Sequence, residues 1–371
     1  MICPRKILTL GLLAALAATL SQPAPSNSTS PRSPQPRQPQ AQQAPPPPPQ
    51  APGADDSRGV IRARVDMVVV PVTVKNASGE LVDDLRDEEF RVLEDGVDQK
   101  IAFFSTDTFP LSTVVLLDDG MKAKTSERVK QTLVALSGAF SESDEVALGR
   151  FDAFYTPVLD FTADNDKLIN SLKSVNLGNQ SFATTDAGSG PTPPRPSAAD
   201  DRAPGAVPTV SALKSQNTKH IDDAIYAAAR LLRTRGRERR KVVVIVSDGT
   251  NSRSNAHTNT ETMQLLLSSD ISVYAIGLDS AVLLRGTTDL SHYAHTTGGD
   301  VYYAAHESDL PKLYAQVSEE ARHQYTIGYL PTGTDRGKSY HSIEVRIKRS
   351  GLSLLTRDGY YPSGVPVGLR P

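Results

Sequence analysis

Two kinds of hydrophobic pattern follow one another along the chain. In residues 68–74 valine returns at every second position, the spacing of a strand that buries one face. The apolar run 90–93 leads into Glu-Asp-Gly at 94–96, which is typical of a tight turn, and residues 99–104 again have strand character. This part of the pattern predicts a small antiparallel β-module over residues 59–109.

From residue 111 apolar strands alternate with amphipathic helices. "STVVLLDD" and "KVVVIVSDG" are apolar on both faces, as central parallel strands are. Between them Ile221, Ile225 and Leu232 recur at helical spacing. The pattern predicts an α/β fold with a doubly wound, mostly parallel sheet over residues 111–323. A stretch rich in Gly, Pro and Ser at 178–216 interrupts it, and we expect that insertion to be disordered.

The strand pattern returns after the α/β segment. "YTIGYLP", "HSIEVRIK" and "LSLLTRDGYY" predict three strands within residues 324–362, followed by a short tail at 363–371. These strands have the same character as the N-terminal module. We therefore expect both ends to pack together as an accessory β-sandwich, with the α/β domain inserted between its halves.

The N-terminal residues have the composition of an export signal. Arg5 and Lys6 precede an apolar run at 7–20, which predicts a signal peptide over 1–21. That run is short for a membrane span of about 20 residues, although retention as an anchor is the alternative. Pro and Gln dominate residues 22–58, which predicts a disordered linker. We expect export to the periplasm, the bacterial cell surface or the medium, with no membrane span after signal cleavage.

Composition excludes several kinds of function. The net charge of −2 gives no attraction to nucleic acid, and the single cysteine, Cys3, excludes a disulfide framework and a cysteine metal site. The chain has no Gly-x-Ser-x-Gly elbow and no P-loop, so we expect no enzyme activity. A basic run at 233–241 comes directly after a helical pattern, and we interpret it as a solvated turn at a helix C-terminus.

Polar residues stand where the predicted parallel strands end. Asp118 follows the first strand, Asp248 follows the central strand, and Thr218 lies just before the helix that contains Ile221. Each of them alone is typical of a helix cap. Together they predict a site, because the loops at the carboxyl edge of an open α/β sheet converge on one crevice.

At this point the sequence resembles a von Willebrand factor A domain, and in particular the exported bacterial VWFA-related family. The resemblance rests on "EEFRVLEDGVDQKIAFF", on "VIVSDGTNSRS" and on the C-terminal "YTIGYLPTG" and "YHSIEVRIKRSGLSLLTRDGYYP". It implies a metal-ion-dependent adhesion site. There an Asp-x-Ser-x-Ser loop, a threonine and a second aspartate hold Mg²⁺ or Mn²⁺, and a carboxylate of the partner completes the shell.

The chain departs from that motif at both serines. Alignment on Asp118 puts Gly120 and Lys122 in their places. The resemblance leaves Asp118, Thr218 and Asp248 as a degenerate metal site, and we expect the Lys122 ammonium to lie between the two aspartates. We therefore expect no cofactor, with Mg²⁺ or Mn²⁺ as the alternative if the site is functional.

These residues lead to one functional expectation and one rival. We expect a protein partner, of unknown identity, to dock at the carboxyl-edge loops. The residues that would contact it are Asp119, Gly120, Lys122 and His220. The rival is a purely structural scaffold of the cell envelope, in which this crevice binds nothing.

Overall fold

The computed structural model describes residues 67–178, 219–333 and 338–362. The predicted signal peptide (1–21), linker (22–58) and tail (363–371) lie outside the described residues, as does the predicted insertion (178–216) apart from its first residue. Among the described helices, none combines the length and the apolar character that crossing a membrane requires.

Fourteen strands run through the described residues. They are β1 (Val68–Lys75), β2 (Phe90–Glu94), β3 (Val97–Gln99), β4 (Ile101–Ser105), β5 (Leu111–Asp118), β6 (Glu145–Phe151), β7 (Tyr155–Thr162), β8 (Arg240–Ser247), β9 (Ile271–Gly277), β10 (Val301–Tyr303), β11 (Tyr325–Tyr329), β12 (His341–Ile347), β13 (Ser353–Thr356) and β14 (Gly359–Tyr360).

The helices lie between β5 and β11. They are α1 (Ala123–Thr132), α2 (Asn165–Ser174), α3 (Ile221–Leu232), α4 (Asn259–Ser268), α5 (Ser280–Leu283), α6 (Asp289–Thr296) and α7 (Leu310–Arg322). Short 3-10 helices occupy Asp87–Glu89, Leu133–Ala139 and Glu307–Asp309.

Six strands form the central sheet, in the order β10-β9-β8-β5-β6-β7. Neighbours are parallel except for β7, which runs antiparallel to β6 at one edge. This confirms the predicted doubly wound, mostly parallel sheet. Because β6 lies on one side of β5 and β8 on the other, the strand order reverses at β5. The carboxyl ends of β5 and β8 therefore border the crevice where ligands bind in such sheets.

Helices cover both faces of this sheet, which explains its two-sided apolar strands. Every residue of β5 is buried. Val115 and Leu117 pack with Leu133 on one face, whereas Val114 and Leu116 pack with α3 on the other. The rigid layers fix the ends of β5 and β8 in place, and the polar loops of the crevice start from those ends.

The strands from the two ends of the chain form the predicted β-sandwich. One sheet has the order β13-β1-β11-β4 and the other the order β14-β12-β2-β3. The alternate valines of β1 share a core with residues of β2, β11 and β12. N-terminal and C-terminal strands therefore pair within both sheets, as expected for a module interrupted by the α/β domain.

Two strand predictions differ from the structure. Residues 99–104 do not form one strand, because β3 pairs with β2 whereas β4 pairs with β11 in the opposite sheet. Likewise "LSLLTRDGYY" is not one strand but forms β13 and β14, which belong to different sheets. In both places the chain crosses from one sheet of the sandwich to the other, and an alternating pattern does not reveal which partner each half selects.

The loop that follows β8 ends in a well-formed cap on α4. The Thr258 hydroxyl accepts a hydrogen bond from the Glu261 amide at 3.2 Å, and the Glu261 carboxylate accepts one from the Thr258 amide at 2.8 Å. We expect Thr258→Ala to lower the free energy of unfolding by about 1 kcal/mol, because an N-terminal amide of the helix loses its acceptor. Urea denaturation measures this change. Thr258→Ser keeps the acceptor and serves as the control, so an equal loss in both variants would contradict the capping argument.

Candidate functional site

Two aspartates stand at the carboxyl ends of β5 and β8. Asp118 is fully buried, and its Oδ2 accepts a hydrogen bond from the Ser247 hydroxyl at 2.7 Å. Its Oδ1 accepts one from the amide of Gly120 at 2.9 Å. Asp248 comes directly after β8, and its Oδ1 accepts a hydrogen bond from the Thr250 amide at 3.0 Å. Oδ2 of each carboxylate faces the crevice between the strands.

A lysine ammonium lies between these two carboxylates, and it belongs to Lys219. Its Nζ is 2.7 Å from Oδ2 of Asp248 and 3.4 Å from Oδ2 of Asp118. The side chain of Lys219 is only 9% exposed. Lys219 stands just before α3, where its carbonyl accepts a hydrogen bond from the Ser252 amide at 2.7 Å. The loop after β8 therefore holds the backbone from which the ammonium extends into the crevice.

The expected position of the Lys122 ammonium is wrong. Lys122 is the N-cap residue of α1, where its carbonyl accepts hydrogen bonds from the amides of Thr125 and Ser126. Its side chain is exposed to solvent. The backbone turn into α1 thus directs this lysine away from the crevice, and the cation between the aspartates comes from the loop before α3 instead.

Gly120 provides the space that Lys219 occupies. A Cβ atom at position 120 would lie 2.8 Å from Cε of Lys219 and 2.8 Å from a carboxylate oxygen of Asp152. Both distances are far below a normal carbon contact. A serine at this position, as in the adhesion-site motif, would collide with the lysine side chain. The missing hydroxyl and the buried ammonium are therefore two parts of one arrangement.

The other predicted contact residues lie around this centre. Asp119 pairs with Arg150 at 3.1 Å and accepts a hydrogen bond from the Gly178 amide at 2.7 Å. His220 lies at the start of α3, with Nε2 3.1 Å from the Ser254 hydroxyl. Both side chains tie neighbouring loops together at the rim. Thr218 lies outside the described residues.

The charge of the centre is not balanced by its lysine. One ammonium faces two carboxylates, which leaves a formal charge of −1 when both are ionised. Burial raises the pKa of Asp118 to about 6; the charge of Asp248 adds to the rise, while Lys219 and the Ser247 hydrogen bond oppose it. The crevice thus contains a carboxyl group that gains a proton in mildly acidic solution.

This set of groups does not fit the metal that the resemblance implies. Mg²⁺ needs six oxygen ligands close to octahedral geometry. Among the described residues, the ligand groups at the carboxyl ends of β5 and β8 are the carboxylates of Asp118 and Asp248 and the Ser247 hydroxyl, and the Lys219 ammonium occupies the space between these carboxylates. A divalent cation at that point would meet a fixed positive charge within hydrogen-bonding distance of its ligands.

A second acidic cluster lies in the β-sandwich. Ligand atoms of Glu94, Asp95 and His341 all lie within 4.8 Å of one another. However, Asp95 accepts hydrogen bonds from Ser342 and pairs with Lys338 at 3.2 Å, while Glu94 accepts one from Tyr360 at 3.1 Å. These contacts join the β2–β3 turn to β12 and β14, so the cluster has a structural role in the sandwich.

Sequence patterns pointed to the two aspartates of the centre but missed Lys219 and Ser247. Lys219 is adjacent to Thr218, in a loop already expected at the crevice. This position was the one feature of the sequence that could have indicated a lysine near the two aspartates. Its ammonium replaces the one expected from Lys122. Ser247 is the last residue of a buried strand, where a hydroxyl needs a polar partner, and Asp118 is that partner.

Part of the sequence matches a known domain model. The match is to the von Willebrand factor type A domain and covers residues 205–316, less than half of the 371 residues. It includes Lys219 and Asp248 but not Asp118. No curated protein matches the sequence.

Several solved structures resemble the fold at low identity. BatB from Bacteroides thetaiotaomicron is 15% identical, with 57% of this chain and 98% of that chain covered and a TM-score of 0.39. A von Willebrand factor type A protein from Catenulispora acidiphila is 8% identical, with 82% and 76% covered and a TM-score of 0.41. Proximal thread matrix protein 1 from the mussel byssus, whose structure has a zinc-occupied MIDAS motif, is 13% identical, with 62% and 50% covered and a TM-score of 0.39.

Proposed function

The chain contains a von Willebrand factor type A domain, and on this premise we propose that it is a non-catalytic protein-binding module. In this proposal a protein partner docks on the carboxyl-edge loops around Asp118 and Asp248, and no divalent metal ion takes part. The export pattern of residues 1–21 adds that the partner is met outside the cytoplasm.

The position of the Lys219 ammonium supports a metal-free mode of docking. It lies 2.7 Å and 3.4 Å from the carboxylates that would otherwise be metal ligands. Breaking such a buried pair by removing one partner costs several kcal/mol, because the remaining charges are left without compensation. A metal ion would have to displace the ammonium. Its own bonds to the carboxylates would then have to offset the free energy lost when the ion pair is broken.

This arrangement also changes the chemistry expected of the partner. Two aspartates and one divalent ion would sum to zero, with a coordination position open to a partner's carboxylate. Two ionised aspartates and one ammonium sum to −1 and offer no coordination position. Direct capture of an acidic group by the ammonium is therefore unfavourable. A partner that presents neutral hydrogen-bonding groups or a basic side chain fits the crevice better.

Site-directed photo-crosslinking in the native host tests this proposal. A photoreactive amino acid replaces Arg253, which is exposed in the loop after β8, in the full-length protein. We expect a discrete adduct with another protein that persists after washing with EDTA. Mass spectrometry of the adduct then identifies the partner.

A matched position provides the control. Glu319 is exposed in the last turn of α7, close to Arg322, which pairs with Asp144 just before β6 at the opposite edge of the sheet. The same photoreactive residue at position 319 should give no such adduct. Equal adducts from both positions, or none from position 253, would favour a scaffold over a docking site. Loss of the adduct in EDTA would restore the metal-dependent alternative.

A further inference from the structure

A large cavity lies at the opposite edge of the sheet from Asp118. Its volume is about 770 Å³, and it lies between the amino ends of β8 and β9 and the β-sandwich. Cavities that hold organic ligands in proteins are typically about 300–1,000 Å³. Space of this size at the junction of two modules is a reason to ask what it binds.

Cations outnumber carboxylates around this cavity. It is lined by Arg237, Arg239, Arg240, Lys241 and Arg357, and Asp270 is the one carboxylate among its described lining residues. Asp270 is already paired with Arg357 at 2.5 Å. Arg239 donates hydrogen bonds to the carbonyls of Leu111 and Ser143. The interpretation of residues 233–241 as a solvated turn is therefore wrong for the residues that face this cavity.

Among the described lining residues, Arg240 and Lys241 are the partly buried cations that lack an ion pair. Within the described part of the chain, neither pairs with a carboxylate. Arg240 donates to the carbonyl of Gln324 at 2.7 Å and to the Thr326 hydroxyl at 3.1 Å, both neutral acceptors, and its buried Nε has no partner. Burial lowers the pKa of Arg240 to about 10, so it stays charged at neutral pH. A half-buried positive charge with neutral partners is stabilised by an anion.

The remaining wall of the cavity is apolar. Met67 and Phe103 line it and are 44% and 41% exposed, large values for side chains of this type. Pro331 and Tyr361 add further apolar surface. A cationic floor beside an exposed apolar wall is complementary to a molecule that has an acidic group at one end and an apolar body.

We propose that this cavity binds an amphipathic organic anion, with the acidic group at Arg240 and Lys241 and the apolar body against Met67 and Phe103. The acidic group is a carboxylate or a phosphate. Hydrogen bonds between an ionised donor and an ionised acceptor are stronger than neutral ones. This site is separate from the carboxyl-edge loops. A bound ligand would contact both modules and stabilise their junction.

Displacement of anilinonaphthalenesulfonate, a fluorescent amphipathic anion, from the full-length protein tests this site. We expect decanoate or decyl phosphate to displace the dye, and the stronger of the two identifies the acidic group. Decanol has the same body without the charge and should bind roughly tenfold or more weakly, while acetate and inorganic phosphate should not compete. Displacement by decanol at the same concentration as the acids would overturn the proposal.

Charge-matched variants locate the binding to the cavity. Arg240→Gln and Lys241→Gln should each weaken decanoate or decyl phosphate binding by roughly tenfold. Arg233→Gln removes a charge from the same basic run at an exposed position outside the cavity, and it should change binding less than about twofold. Thermal melting checks that each variant is folded. If Arg240→Gln does not fold, the result for Lys241→Gln decides the test. Equal weakening in Arg233→Gln and Lys241→Gln would reduce the effect to general surface charge and refute the site.

Discussion

Replacing Lys219 by methionine is expected to lower the free energy of unfolding by about 3–5 kcal/mol. Methionine keeps most of the length of the side chain but removes the ammonium that lies between Asp118 and Asp248. The Asp118 side chain is completely buried and that of Asp248 is 8% exposed, so the two carboxylates would face each other with little compensation from solvent. Urea denaturation at neutral pH measures the change, and the loss should shrink toward pH 5 as Asp118 takes up a proton.

Lys122→Met is the matched control for this experiment. Lys122 is exposed and forms no ion pair with the described residues, so its replacement should change the free energy of unfolding by less than about 0.5 kcal/mol. Millimolar Mn²⁺ should raise the melting temperature of Lys219→Met, in which the carboxylates are free to bind it, but not that of the unchanged protein. Equal stability of the two variants, or Mn²⁺ stabilisation of the unchanged protein, would contradict the role given to Lys219.

Much of the fold follows from local patterns in the sequence. Two-sided apolar strands such as β5 and β8 require helices on both faces, and the alternate valines of β1 require a sandwich. What local patterns do not contain is the choice of partner strand. Residues 99–104 and 353–360 have strand character throughout, yet each stretch divides between two sheets. That choice depends on long-range packing, which a single strand does not encode.

The site shows the same division between local and long-range information. Asp118 and Asp248 could be placed at the crevice because topology alone brings the ends of parallel strands together. The cation between them could not be identified in this way, because a lysine side chain is long and reaches its partner from several backbone positions. Its identity depends on the space above Gly120 and on the hydrogen bond that holds the carbonyl of Lys219. Both are properties of the packed loops and not of residue spacing.

Asp118→Asn is expected to change how stability depends on pH. In the folded protein burial raises the pKa of Asp118 from 3.8 to about 6, so the native state binds this proton more tightly than the unfolded state. The contribution of that proton is fully present below about pH 4 and is lost as pH rises through 6. Asparagine does not titrate. The free energy of unfolding of the variant, relative to the unchanged protein, should therefore rise by roughly 2–3 kcal/mol between about pH 4 and pH 7. Urea denaturation across this range measures the difference.

Asp144→Asn provides a control with the opposite sign. Asp144 is also buried, and burial alone would raise its pKa. Hydrogen bonds from the amides of Leu111 and Ser141 and the charge of Arg322 outweigh burial and hold the pKa below the ordinary value. A lowered pKa gives stability that is lost only as pH falls below about 4. The difference between Asp144→Asn and the unchanged protein should thus stay level over the range in which Asp118→Asn changes. A level difference for Asp118→Asn as well would show that Lys219 and the Ser247 hydrogen bond fully offset the effect of burial, and the pKa of Asp118 would then not be raised.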